Sequence, residues 1–507
     1  MSHKRIYLVT LLLALVLPVL AACGGGSGTT TTTTTTTGES SPAASASPAA
    51  SASASPDASP AASASASAAA SSEASPATTA TTAAEASPAG TAEAATSGTA
   101  GGAATLDFSK LEVEDGATLR FLAAGNTTEQ QLYTDAAQRF NETFPNAKLN
   151  FEPVPAEYET TITAGFSGGN APDVFLLNGQ LMGQLAPQGL LLPLDDAMGQ
   201  VGRQASDYYE QLIQLYQQDN KTYGLPKDFN PLVLFVNTDL AQQAGVDPAT
   251  IQSWDDLRAA AEKMTQGEGA NKVYGLCLTP DIERYGASML QNNNAVIENN
   301  TAVFNNEQGV QAIQFWKDIQ AAGFAATFQD LSAGWCGEAF AKQSAAMVVE
   351  GGWIVPFMAD PQQGGQDVKY TAVPLPIPEG GQQTSLLFTN GFAANAQSQY
   401  PKAAAAAVLF LTSEQNQQAL IPTGLAQPSL QSLANDSYFQ ENEVAKVLVQ
   451  AGQNGRVSDT LFGGPAKKAD VVRAINQSGI EQILVGGSDV KGALDQAAQE
   501  VDQILQR

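Results

Sequence analysis

The chain changes character at Thr105, and that break limits what it can fold into more than any motif does. Residues 24–104 are Gly, Thr, Ser, Ala and Pro with a few acids, and they include no Lys, no Arg and no aromatic side chain. Such a stretch buries too little apolar surface to offset its ordering entropy. It predicts a disordered tether, about 250 Å long if fully extended as polyproline II and about 50 Å as a coil. That reach is compatible with crossing a wall layer, and the Ser/Thr/Pro content permits O-glycosylation. Any packed core must therefore come from Leu106 onward.

Ahead of the tether, Lys4 and Arg5 precede an apolar run from Ile6 to Leu20, and Leu20-Ala21-Ala22 then meets Cys23. The run is shorter than the roughly 20 residues a spanning helix needs, so residues 1–22 read as a secretory signal. Removing them takes away two positive charges and no acid, and the formal net charge of −26 becomes about −28. So acidic a chain lacks the basic patches that bind nucleic acid. His3, the single histidine, leaves with the signal. Ser-His-Asp, Cys-His and His-ligated zinc chemistry are thereby excluded, while carboxylate, lysine or tyrosine chemistry stays open. Cys277 and Cys336 remain for an oxidising compartment. A disulfide between them is the economical reading, worth roughly 4 kcal/mol in the chain-entropy model; two buried thiols are the alternative.

From residue 118 strand and helix patterns alternate, which points to an α/β protein. A strand is expected over 118–123. A helix should open at Thr128 with Gln131 completing a capping box, and Leu132, Ala136, Phe140 and Phe144 recur on one face. A strand over 148–154, a helix over 157–166 and an apolar strand over 173–177 follow. In the stretch Y-G-L-P-K-D-F-N-P-L-V-L-F-V-N-T-D-L from Tyr223, Gly224 and Pro226 mark a turn. Lys227, Asp228 and Asn230 come next, and then a five-residue apolar run, 232–236, suits a strand buried on both faces.

That stretch resembles the first interdomain crossover of the extracellular solute-binding proteins (family 1), the sugar-capturing components of ABC importers. There a "YGLP" turn leaves one lobe and an "LYYN-x-x-L" strand enters the other; here Asn237 and Leu240 are kept and the tyrosine is lost. Other segments are similar in the same order: the P-D-V of Pro172-Asp173-Val174, S-W-D-D-L from Ser253, F-A-K-Q-S-A-A-M-V-V-E-G-G-W from Phe340, and G-L-A-Q-P-S from Gly424. L-A-A-C resembles the lipobox of bacterial lipoproteins and implies lipidation of Cys23. The resemblance covers residues 118–507. It implies a two-lobed periplasmic-binding-protein-like fold (type II) with three interdomain crossovers. Lobe 1 is expected over 105–228 and 383–432, lobe 2 over 229–382 and 433–507, and a lipidated linker over 23–104.

The implied function is a membrane-anchored monomer that captures a small polar solute, most readily a sugar, and passes it to permease subunits without any cofactor, metal or catalysis. Ligand contacts are expected from Asn126, Thr127, Asn178, Gln180, Asp228, Asn230, Tyr285, Trp335, Glu350, Trp353 and Asn390. Trp353 would offer its flat face to a sugar ring, whereas Trp254 and Trp316 fit the apolar faces of helices. Two other readings compete. Tandem tyrosines Tyr208 and Tyr209 are similar to those of iron-binding relatives, and Asp228 with Glu350 could serve a glycosidase, which needs two acids facing one bond.

Overall fold

The computed structural model describes residues 106–507. The signal segment, Cys23 and the Ser/Thr/Ala/Pro stretch lie outside the described residues. Strands β1 (Ala117–Ala123), β2 (Ala147–Pro153) and β3 (Val174–Leu177) alternate with helices α1 (Thr127–Thr143) and α2 (Tyr158–Ser167), and α3 (Gly179–Leu185) and β4 (Gly224–Pro226) follow. After the short β5 (Asp228–Pro231) come β6 (Val233–Asn237), α4 (Trp254–Met264), β7 (Tyr274–Leu278), α5 (Ile282–Gln291), α6 (Glu307–Ala321) and β8 (Ala325–Thr327). Then α7 (Cys336–Ala341), β9 (Ala345–Glu350), α8 (Ile354–Ala359) and β10 (Tyr370–Val373) complete that half. The chain returns through β11 (Leu386–Phe388), β12 (Gly391–Ala394), α9 (Pro401–Leu411) and β13 (Gln427–Pro428). It ends with α10 (Glu443–Gln453), β14 (Arg456–Val457), α11 (Lys468–Ile475) and α12 (Val490–Leu505).

These strands make one five-stranded sheet in each lobe, ordered β2-β1-β3-β12-β4 and β8-β7-β9-β6-β10. In both, a parallel trio is followed on one side by an antiparallel strand and then by an edge strand antiparallel to that one, β12 and β4 in the first and β6 and β10 in the second; of these four only β12 comes from the returning chain. A third sheet, β13-β5-β11-β14, gathers the short strands of the traverses between the lobes, β5 from the first, β11 from the second and both β13 and β14 from the last. It is the hinge, and the three crossovers expected of the chain run through it.

Burial explains the apolar run of β6. Every side chain of β6 is essentially buried. Leu234 and Val236 join the core that α4, α5, α6 and α12 close, while Val233 and Phe235 join a second cluster with Cys277, Phe340 and Val348. A strand with period two between two apolar layers needs an unbroken apolar run, and each such side chain contributes about 1.5–3 kcal/mol on burial.

The first helix starts two residues before the expected position. Asn126, not Thr128, is its cap: Asn126 Oδ1 accepts from Glu129 N at 3.0 Å and Glu129 returns to Asn126 N at 3.1 Å. Two capping patterns overlap in the sequence, and Asn with Glu wins because Asn is the stronger cap and a carboxylate suits a helix N-terminus. The helix after Ser253 is capped by that serine, with Asp256 completing its box. Cys277 and Cys336 are joined, with Cα atoms 5.6 Å apart.

Candidate functional site

The parallel strands of the two sheets direct their C-terminal ends toward one another, and in open α/β sheets that is where ligands gather. Two cavities lie there between the lobes. The larger, about 1070 Å³, has Asn126, Thr127 and Gln130 on one side and Trp335, Trp353 and Phe357 on the other. The smaller, about 340 Å³, is set between Asn178, Gln180 and Asn390 of the first lobe and Glu283, Asp459 and Lys468. Trp353 of the larger cavity and Phe388 of the smaller meet edge to face, centroids 5.6 Å apart, so one aromatic ridge joins the two spaces.

Three ion networks underlie this cleft. Glu350, at the exit of β9, is 1% exposed. Its Oε2 accepts from Arg284 Nη2 at 3.1 Å and from Trp353 Nε1 at 2.9 Å. Burial pushes the Glu350 carboxyl above its ordinary range, against the pull of Arg284 and Trp353. The Arg284 guanidinium also lies 5.5 Å from the centre of the Trp353 ring and 5.9 Å from that of Phe388, a cation–π position on both.

In the smaller cavity Lys468 Nζ lies 2.9 Å from Glu283 and 3.4 Å from Asp459. Burial would lower the lysine, but Asp459 and Glu283 hold it above its ordinary value; Asp459 itself is pushed up by burial, with Lys468 opposing. Lys227 sits behind the first-lobe wall, paired with Asp228 and with Glu129 at 3.3 Å. Burial works against its charge, yet Asp228, Tyr133 and Glu129 together hold it well above the usual lysine range.

The structure brings most of the expected residues to the cleft in different roles. Asn126, Thr127, Trp335 and Trp353 line the larger cavity, and Asn178, Gln180 and Asn390 line the smaller. Asn178 is also the cap of α3, accepting from Leu181 N and donating to Glu159. Glu350 lies beneath Trp353. Asp228 is buried in its pair with Lys227, and Asn230 Oδ1 accepts from Gly352 N at 3.0 Å, tying the hinge to the end of β9.

Tyr285 requires a correction. It is buried in the second-lobe core, its ring 5.4 Å from that of Trp316, and it lines neither cavity. The neighbouring Arg284 reaches Glu350 and Trp353 instead, because successive helical side chains point about 100° apart. The tyrosine pair lies in no helix and lines neither cavity. Tyr208 and Tyr209 are extended; Tyr208 is fully buried and the Tyr209 ring packs edge-on against Phe229 at 5.3 Å. Glu283, Asp459, Lys468 and Phe388 are cleft residues that sequence reading missed, and so is Arg284 behind them, against Glu350, Trp353 and Phe388. Glu283 and Arg284 follow the C-terminal end of β7, which is the one signal that could have found them.

Comparison with known proteins completes the assignment. The profile of a family described as bacterial extracellular solute-binding proteins matches residues 135–446. The chain is 26% identical over 350 residues to the galactooligosaccharide-binding protein of Bacillus subtilis, covering 65% of this chain and 76% of that one. It is 25% identical over 199 residues to the arabinooligosaccharide-binding protein of the same organism, a match spanning 38% of this chain and only 45% of the relative. Among solved structures, a substrate-binding protein from Listeria monocytogenes in complex with cycloalternan superposes with a TM-score of 0.68 at 20% identity, covering 77% of this chain and 99% of that one. The GacH receptor of Streptomyces glaucescens gives 0.68 at 24% identity over 78% and 99%. The fold is that of the type II periplasmic binding proteins. With the family profile matched over more than half of its length, this chain belongs to the bacterial extracellular solute-binding proteins.

Proposed function

We propose that the protein captures a sugar or oligosaccharide between its lobes and delivers it to the permease of an ABC importer, held at the outer face of the cell membrane by a lipid on Cys23. One observation carries the choice of ligand: a cleft in which the rings of Trp335 and Trp353 share a cavity with the hydroxyl and amides of Thr127, Asn126 and Gln130. Sugars present an apolar ring face and a rim of hydroxyls, which such a surface matches. Relatives named for arabino- and galactooligosaccharides support the same class.

Binding without turnover is part of this reading. Its support is that the two acids a glycosidase would need, Asp228 and Glu350, are each committed to a cation, Lys227 and Arg284. Calorimetric titration with arabinotriose, galactotriose and maltotriose tests the proposal. Saturable binding of one of them with no hydrolysis products is the expected result. Absence of binding to all three, or release of shorter sugars, would overturn it.

A further inference from the structure

The wall of the larger cavity contains a device that the binding role alone does not require. Trp335 is the residue before α7, and the next residue, Cys336, opens that helix and is bonded to Cys277. Cys277 lies in β7, in register with Ala326 of β8 on one side and Val348 of β9 on the other, inside the sheet. Both cysteines are buried, 3% and 1% exposed. The bridge therefore fixes the start of α7 to the middle of the second-lobe sheet, one residue from an aromatic face of the cleft.

Gly337 adds a second constraint. A Cβ at that position would stand 2.1 Å from the Trp335 ring, so the indole folds back over the first turn of α7 in space that only glycine leaves. On its other side the ring meets Phe357 edge to face, centroids 4.8 Å apart. The segment 328–335 that leads into Trp335 has no helix or strand of its own and passes through Ser332 at φ 53°. By contrast, α7 has anchors independent of the bridge, since Ala339, Phe340 and Ala341 are all buried. Opening the bridge should therefore leave the helix docked and release its first turn.

We infer that the Cys277–Cys336 bridge and Gly337 are positioning elements that hold the Trp335 face in the cleft, an inference that rests on the cleft being the ligand site. Cys277, Cys336 and Gly337 line neither cavity, and all three act through Trp335. Roughly three- to tenfold in affinity is at stake, the worth of an aromatic face held in place.

The test is a double-mutant cycle combined with fluorine NMR. Cys277→Ala/Cys336→Ala and Gly337→Ala are made in the wild-type background and in Trp335→Ala, and each is titrated with whichever of arabinotriose, galactotriose and maltotriose the wild type binds. The expected result is a roughly three- to tenfold loss in the first background and less than about twofold in the second. Additive losses would overturn the inference. In 5-fluorotryptophan protein, with the Trp335 resonance assigned by Trp335→Phe, that resonance should shift or broaden in both variants while the buried Trp316 resonance stays. An unmoved Trp335 resonance in a folded variant would refute the role of that element without any ligand. Loss of the Trp316 signal in the bridge variant would make the bridge a determinant of the whole lobe and overturn its positioning role, leaving Gly337→Ala to decide for the glycine. If the wild type binds none of the three sugars, the sugar reading fails alone and the fluorine arm still decides the positioning.

Discussion

Trp353 performs two functions that substitution can separate. Its ring belongs to the cleft wall, and its Nε1 donates to the buried Glu350 at 2.9 Å. Trp353→Ala removes both. Loss of a stacking face costs about 1 kcal/mol beyond area burial, and with the contact area itself the affinity for a bound trisaccharide should fall about tenfold or more. Loss of the hydrogen bond to a carboxylate costs about 1.5–3 kcal/mol of stability, because Glu350 then keeps only Arg284. Trp353→Phe keeps an aromatic face and loses the donor, so it should retain affinity within about threefold while losing similar stability. Trp254→Ala is the control: that ring stacks on Phe315 at 4.6 Å and 17°, away from both cavities, so its removal should lower stability and spare affinity. Calorimetric titration with urea melts of all three variants decides. A folded Trp353→Ala protein with unchanged affinity would take Trp353 out of the ligand site.

Further outcomes follow from the ion networks and the N-terminal segment. Lys227→Met leaves Asp228 and Glu129 without their cation in a buried place and should cost about 3–5 kcal/mol in urea unfolding; a loss under about 1 kcal/mol would mean that water reaches the pair. Burial holds Asp228, Glu350 and Asp459 above their ordinary values, so the folded chain binds these protons more tightly than the unfolded one. Their contribution is fully present below the unfolded pKa near 4 and is lost as pH rises through the folded values. Scanning calorimetry should accordingly give a higher Tm at pH 5 than at pH 7, and a profile that falls toward pH 5 would show the exposed carboxylates dominating. Among the described residues Lys468 is the sole basic one lining the two cavities, and it is already held by Glu283 and Asp459. A uronate-bearing trisaccharide should therefore bind at least about tenfold more weakly than its neutral counterpart, since one like charge at 4 Å costs on the order of 4 kcal/mol at an effective dielectric of 20. Mass spectrometry of the mature N-terminus should find an acylated Cys23; cleavage elsewhere without lipid would remove the anchor.

What the sequence made legible is what one-dimensional patterns can encode. The run 232–236 could be read as a doubly buried strand because period-two packing between two apolar layers leaves no polar position. Trp316 was legible as core from its helical spacing, and its Nε1 finds Ser288 at 3.1 Å. Less legible was the choice between neighbours on α5: Tyr285 has the chemistry of a sugar contact, yet the helix turns it into the core and presents Arg284 to Glu350. Nor does any local pattern place Lys468 opposite Glu283, which is 185 positions earlier in the chain. That pairing exists only because the last crossover returns the C-terminal helices to the second lobe. The charged part of the cleft is thus a product of topology, whereas its strand ends and glycine-marked turns are written in local sequence.

The two ends of the cleft differ in a way that bears on how a ligand would enter. At the narrow end the lobes already touch: a Cβ on Gly183 of α3 would stand 2.5 Å from Ala466 N, on the segment that precedes α11. That backbone contact lies beside the 340 Å³ cavity with its paired charges. At the other end the 1070 Å³ space separates Asn126 and Thr127 from Trp335 and Phe357. The hinge strands are two to four residues long, and with the backbones in contact at Gly183 it is the wide end that has room for a ligand. A sugar would then enter over the tryptophans and advance its polar end toward Asn178, Gln180 and Asn390. Closure would be favoured by whatever contacts it gains with Asn126 and Thr127 beyond those it already makes with Trp335 and Trp353, because only such differential contacts shift the equilibrium between open and closed lobes.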